Sequence, residues 1–269
     1  MNRIDRKFAE LREKKQPAFI PFITVGDPDL ETSVRIIKEL EKAGAAMVEL
    51  GVPYSDPLAD GPVIQRSSQR ALKSHRISIM DVIRTARQAR SEGCELPFIL
   101  FTYYNPVLQT GLERIFALLQ ENEISGLIIP DLPMEEDAEV RALAEKHGIH
   151  LIPLVAPTSN ERIQRIVSRA SGFVYCVSSL GVTGTRSDFH SGVDAFLDTV
   201  RRSTDLPIAI GFGISSRDQF ERFAAKCDGI VVGSALVRQI EESLPQTADE
   251  QTKTKGLLQI HQFVRQLIG

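Results

Sequence analysis

The feature that most limits this chain is a strict alternation of short apolar runs with amphipathic segments. The apolar runs span Phe19–Thr24, Met47–Gly51, Phe98–Tyr103, Gly126–Ile129, His150–Val155, Phe173–Val177, Ile208–Gly211 and Gly229–Val232. Their length and their bounding by Gly, Pro and polar residues mark them as strands. Between them helical spacing recurs: Leu30–Ala43, Pro62–Lys73 with Ile79–Ser91, Leu112–Glu121, Glu135–His147, Asn160–Arg169, Val193–Arg202 and Ser216–Lys226. Two further helical segments, Ser234–Glu242 and Gln251–Leu267, follow the last strand. Alternating strands and helices build a parallel sheet with helices outside it. Runs that are apolar throughout are strands covered on both faces. Eight such units in 269 residues match the arithmetic of a (β/α)₈ TIM barrel. A doubly wound open sheet is the rival, but the first turn, Thr24-Val25-Gly26-Asp27-Pro28, carries no Gly-x-Gly-x-x-Gly.

An echo supports a repeated unit. Lys42-Ala43-Gly44, Ile124-Ser125-Gly126, Ala170-Ser171-Gly172 and Cys227-Asp228-Gly229 each end a helix on glycine and open a strand. No linker composition interrupts the series, so a single domain over 1–269 is expected. An amphipathic helix precedes the first strand, with Ile4, Phe8 and Leu11 on one face.

Composition removes several classes. With 42% hydrophobic and 25% charged residues the chain has ample material for a core. A net charge of −3 without a basic run argues against nucleic acid. No apolar run reaches the ~18 residues of a membrane span. The charged N-terminus lacks the apolar region of a signal peptide. Cys94, Cys176 and Cys227 are widely spaced, which points to a cytoplasmic setting without disulfides or zinc. His75, His147, His150 and His261 occur without a ligand pattern, so no metal is expected.

In a barrel of this kind the active site lies at the C-terminal ends of the strands. Strand seven runs into Gly211-Phe212-Gly213-Ile214-Ser215 and strand eight into Gly233-Ser234-Ala235, where a short extra helix begins. Glycines and a helix N-terminus at those two ends form a phosphate grip, although a lone Gly-x-Gly can be only a turn. No Walker sequence is present, so the ligand is a small phosphoester. The loop Ser178–Gly192 exceeds the usual βα connection of about 2–6 residues. It reads either as a lid or as a surface loop.

Glu49 interrupts the second strand. A carboxylate there costs several kcal/mol of desolvation unless paired, hydrogen-bonded or protonated. Asp56 and Asp60 follow on a loop stiffened by Pro53, Pro57 and Pro62. Acids on a strand end and on the facing loop suit proton transfer; alternatively Glu49 has a basic partner in the core and Asp60 caps a helix. Tyr175 either packs or presents its hydroxyl to the site. No strand-end lysine is available for a Schiff base.

With these residues the chain resembles the tryptophan synthase alpha chain family. The matching stretches are Pro21–Pro28, Glu49–Pro62, Gly181-Val182-Thr183-Gly184 and Gly211–Ser215, in order along essentially the whole chain. The resemblance implies a lyase that splits indole-3-glycerol phosphate into indole and glyceraldehyde 3-phosphate. It makes Glu49 the general acid/base, gives Asp60 the indole N–H, and sets Tyr175 beside Glu49. Thr183 would hold Asp60 under a closed lid. Gly184, Gly213, Gly233 and Ser234 would cradle the phosphate, and Phe22, Leu100 and Phe212 would wall the indole. The resemblance further implies an α2β2 tetramer with a pyridoxal-phosphate beta chain, contacted by Asp56, Pro57, Asn105 and Pro106, and no cofactor on this chain. Where some relatives carry Arg after the Ser178 position, this chain has Ser179 and Leu180. A stand-alone lyase and a non-catalytic activator of the beta chain are the alternatives.

Overall fold

The computed structural model describes residues 1–74, 76–177, 192–245 and 249–269. In chain order the elements are α1 (Arg3–Glu13), β1 (Ala18–Thr24), α2 (Leu30–Ala43), β2 (Val48–Gly51), α3 (Pro62–Ser74), α4 (Ile79–Ser91), β3 (Phe98–Phe101), α5 (Tyr104–Thr110), α6 (Leu112–Glu121) and β4 (Ile124–Ile128). They continue as α7 (Ala138–His147), β5 (His150–Leu151), β6 (Leu154–Val155), α8 (Asn160–Val167), β7 (Val174–Val177), α9 (Val193–Ser203), β8 (Ile208–Gly211), α10 (Arg217–Ala224), β9 (Gly229–Val232), α11 (Ser234–Ser243) and α12 (Glu250–Ile268).

Every strand pairing is parallel, in the order β5-β4-β3-β2-β1-β9-β8-β7-β6. The two ends of that order are consecutive in the chain, separated by Ile152-Pro153 alone, so the sheet closes into a barrel. The fifth strand anticipated over His150–Val155 is thereby divided. β5 pairs with β4, β6 pairs with β7, and Pro153, which has no N–H to give, lies between them. The eight-unit barrel stands, with one strand in two pieces.

Strand parity sorts the apolar residues into two layers. Ile20, Met47, Ile99, Ile128, Phe173, Ala209 and Val231 fill the barrel interior together with Ile4 and Phe8 of α1. Val48, Leu50, Phe98, Leu100, Val174, Ile208 and Ile210 pack outward against the helices. α1 thus plugs the N-terminal end of the barrel; Asn2 caps it by accepting the Ile4 N–H at 2.9 Å. Its underside is fixed by His150 Nε2 against Asp5 Oδ1 at 2.8 Å.

Several helix starts carry side-chain caps. Asp29 accepts the Thr32 N–H at 2.6 Å, and Ser159 and Ser216 accept those of Arg162 and Gln219. Gly44 and Gly148 end α2 and α7 in left-handed conformation. α7 begins at Ala138, three residues later than anticipated, and α5 occupies a stretch anticipated as loop. Among the described residues no helix is long and apolar enough to cross a membrane.

Candidate active site

Met47, just before β2, packs inward, so Glu49, two residues on, faces the same way at the C-terminal end of the barrel. In the parallel ladders it stands beside Phe22 of β1 and Ile99 of β3. It is 1% exposed, and its Oε1 is buried without a hydrogen-bond partner among the described residues. Glu49 forms no ion pair among the described residues, so the expected alternative of a core partner is not met. Burial pushes its pKa up to about 8, because the apolar surroundings penalise the charged form. At neutral pH this carboxyl holds a proton.

Tyr175 shares the interior with Glu49. Its ring lies over Gly211, where a side chain would meet the hydroxyl oxygen at 2.5 Å. Burial and then the neighbouring Glu49 carboxylate push its phenol well above the ordinary range. Tyr175 packs with Phe173, ring centroids 6.5 Å apart, and its hydroxyl lies beside Gly211, the last residue of β8.

The loop after β2 is fastened to β3 and its continuation. Val52 N–H donates to the Phe101 carbonyl at 2.9 Å, and Ala59 N–H donates to the Tyr103 hydroxyl at 3.0 Å. The same hydroxyl donates to the Asp60 carboxylate. Asp60 is 6% exposed. Burial raises its pKa to about 6, and the bond from Tyr103 opposes the rise. Tyr103 was not anticipated as a site residue; its position just past a strand end facing the acidic loop was the available signal.

Phe22 and Phe101 meet edge to face, ring centroids 5.4 Å apart, and Val63, Ile64 and Val237 complete an apolar wall. Leu100, anticipated for this wall, belongs instead to the layer between sheet and helices. Side chains alternate along β3, so Phe101 takes the inward place and Leu100 the outward one. Phe212 is buried with its ring 6.2 Å from that of Phe223 on α10.

At the ends of β8 and β9 lie the glycines anticipated for an anion. Gly213 has φ +73°, a left-handed turn that favours glycine. Gly233 gives α11 no side-chain cap, and Ser234, buried, is its first residue. The first-turn N–H groups of α11 have no acceptor within their own helix. Thr183, Gly184 and the other residues of 178–191, including Ser179 and Leu180, lie outside the described residues, as does His75.

The outer side of the acidic loop is different in kind. Asp56 is exposed, Pro57 half-buried and Leu58 78% exposed. Next to it on α5, Asn105 and Leu108 are exposed and Pro106 half-buried. Tyr54 stacks on Tyr103 at 4.8 Å, and Asn105 Nδ2 reaches the Tyr54 hydroxyl at 3.5 Å. The described residues include no cluster of three potential metal ligands.

Comparison with known proteins agrees with this geometry. The tryptophan synthase alpha chain family model matches residues 8–266. The tryptophan synthase alpha chain of Bacillus licheniformis is 50% identical over 259 residues, 95% of this chain and 97% of that one. The crystal structure of tryptophan synthase subunit alpha from Legionella pneumophila superposes with TM-score 0.86 at 35% identity, covering 98% of each chain. A chain of the tryptophan synthase α2β2 complex from the hyperthermophile Pyrococcus furiosus superposes with TM-score 0.85 at 32% identity, covering 94% of this chain and 98% of that one.

Proposed function

The chain belongs to the tryptophan synthase alpha chain family, and from that premise we propose how its residues cleave indole-3-glycerol phosphate. The whole chain, 1–269, works as one barrel domain and a lyase. The observation that carries the assignment is Glu49: a buried, proton-holding carboxyl without a hydrogen-bond partner at Oε1 among the described residues, at the active end of the barrel. A carboxyl in that state is an acid waiting for a base.

The phosphate binds at Gly213, Gly233 and the N-terminus of α11 at Ser234, with Gly184 from the strand-six loop, and the indole lies against Phe22 and Phe101. Phe212 closes that side from the outer layer. Glu49 protonates indole C3, and the ring becomes an indolenine cation. Asp60, ionised above pH about 6, accepts the indole N–H and stabilises the positive charge. The Glu49 carboxylate then takes the proton from the side-chain hydroxyl. The C–C bond breaks, its electrons return to the ring, and indole and glyceraldehyde 3-phosphate form. Glu49 ends protonated, as it began. Tyr175 packs beside it and limits its motion, and Thr183 holds Asp60 when the loop over the site closes. Environments that separate two carboxyl pKa values, about 8 and about 6, divide the acid from the counter-charge. This chain needs no cofactor for these steps.

Indole passes to a beta chain that carries pyridoxal phosphate, in an α2β2 assembly. Asp56, Pro57, Asn105 and Pro106 face that partner. Leu58 and Leu108 support the reading, since large exposed apolar side chains beside polar ones mark contact surfaces. The assembly works in the cytoplasm. A non-catalytic activator would keep this surface and have no use for an unpaired acid at Glu49.

The test is indole release by the purified chain, with and without the beta chain. Glu49→Gln should lose most activity and still bind substrate. Turnover near that of the unsubstituted protein would overturn the assignment.

A further inference from the structure

We propose that Tyr103 is a positioning residue for the cleavage reaction, clamping the Ala59-Asp60 turn to the end of β3 and holding the Asp60 carboxylate in place. The inference rests on the reading of Asp60 given above. One phenol oxygen serves both partners: it accepts the Ala59 N–H at 3.0 Å and donates to the Asp60 carboxylate. Tyr103 is 3% exposed, and Tyr54 stacks on its ring at 4.8 Å with 23° between planes. The ring is therefore fixed on one face by the very loop it fastens. Within the loop the Asp60 N–H finds only a long bond, 3.4 Å to the Pro57 carbonyl. The phenol is the short tie at this end, as the Val52–Phe101 bond of 2.9 Å is at the other.

The electrostatics point the same way. Burial drives Asp60 toward its neutral form, in which it could not balance a cation on the indole ring. A donor that bonds the carboxylate favours the charged form. Among the described residues the ionisable groups that face this pair are few. Asp131, on the loop after β4, raises the Tyr103 phenol and has its own bond from the Tyr104 N–H at 2.9 Å. Among the described residues Glu49 and Tyr175 are buried in the barrel interior and both are neutral at pH 7, while the buried Asp27 is paired with Arg70. Among the described residues no guanidinium or ammonium contributes to the shift of Asp60, and the phenol is the donor that favours its charged form.

The experiment is a double-substitution cycle between Tyr103→Phe and Asp60→Asn, with kcat/KM measured across pH on the full chain. Phenylalanine keeps the ring and the Tyr54 stack, so Tyr103→Phe should melt close to the unsubstituted protein. Its kcat/KM should fall about tenfold or more at pH 7, the scale of a lost bond to a charged group. Its acid limb should move to higher pH, a change that loosened packing would not produce. In the Asp60→Asn background the same substitution should change kcat/KM less than about twofold. Equal losses in both backgrounds, or an acid limb that does not move, would overturn the role of Tyr103. Full activity of Asp60→Asn alone would overturn the reading of Asp60 itself, and this inference with it.

Discussion

The ring of Phe22 lies directly over Gly51, on the neighbouring strand and two residues beyond Glu49. A β-carbon at Gly51 would run into that ring, with Cε2 at 2.7 Å, and would lie 2.9 Å from the Ile23 carbonyl oxygen. The ring could swing aside; the carbonyl, held in the β1–β2 ladder, could not. Gly51→Ala should therefore destabilise the protein by about 1–3 kcal/mol through overpacking. It should also raise KM, because Phe22 is displaced from the apolar wall. Urea unfolding and steady-state kinetics measure the two effects; unchanged KM would mean that the Phe22 ring does not line the substrate pocket.

Glu49 should make stability fall as pH rises. Its ordinary pKa is near 4.5 and its folded value about 8. Between those values the folded protein binds more protons at this site than the unfolded chain does, so raising pH favours unfolding. Asp60 shifts in the same direction, but its window closes near pH 6. Comparing pH 6.5 with pH 8.5 therefore isolates Glu49. Glu49→Gln cannot ionise, and its stability relative to the unsubstituted protein should rise over that interval by an amount on the order of 1–2 kcal/mol. A difference that does not change between the two pH values, measured by urea unfolding, would exclude a buried, proton-holding Glu49.

The same two groups should shape catalysis. The proposed cleavage starts with Asp60 ionised and Glu49 protonated. The dependence of kcat/KM on pH should accordingly be a bell, rising near pH 6 and falling near pH 8. Asp60→Asn should abolish the acid limb and lower the plateau about 10²- to 10³-fold, the size of a lost electrostatic stabiliser. An acid limb that persists in Asp60→Asn would assign it to another group.

The barrel was legible because each strand is a bounded apolar run, and Glu49 was legible because it is polar inside one. That same uniformity hid the wall of the site. Phe98–Phe101 is apolar on both faces, so nothing in the sequence distinguishes its inward residues from its outward ones, and Leu100 was placed where Phe101 belongs. Tyr103 was hidden by being read as the last residue of a strand that ends at Phe101; it is the residue before α5. α5 itself was masked by Pro106, which is tolerated in a first helical turn because the N–H it lacks has no acceptor there. The glycines after β8 and β9 needed no such parity, since their place at strand ends does not depend on which face a side chain takes.

Asp27 and Arg70 link the elements around the mouth. Asp27, on the loop after β1, is 4% exposed and receives Arg70 Nε at 3.0 Å, Arg70 Nη2 at 2.6 Å and the Ser67 hydroxyl at 2.5 Å. Arg70 Nη1 continues to Glu241 of α11 at 2.6 Å. One side chain of α3 thus ties the β1 loop to the helix whose first turn is the proposed phosphate site. Removing one member of a buried pair leaves a desolvated charge, which costs about 3–5 kcal/mol; the Ser67 bond that remains should hold Arg70→Met to the lower part of that range. Arg84 and Asp81 offer the control. Their ion pair, at 3.0 Å, has Arg84 71% exposed, and exposed pairs contribute about 0–1 kcal/mol. Urea unfolding at pH 7 should therefore separate Arg70→Met from Arg84→Met by about 2 kcal/mol or more. Equal losses would mean that Asp27 is reached by solvent and does not depend on its arginine.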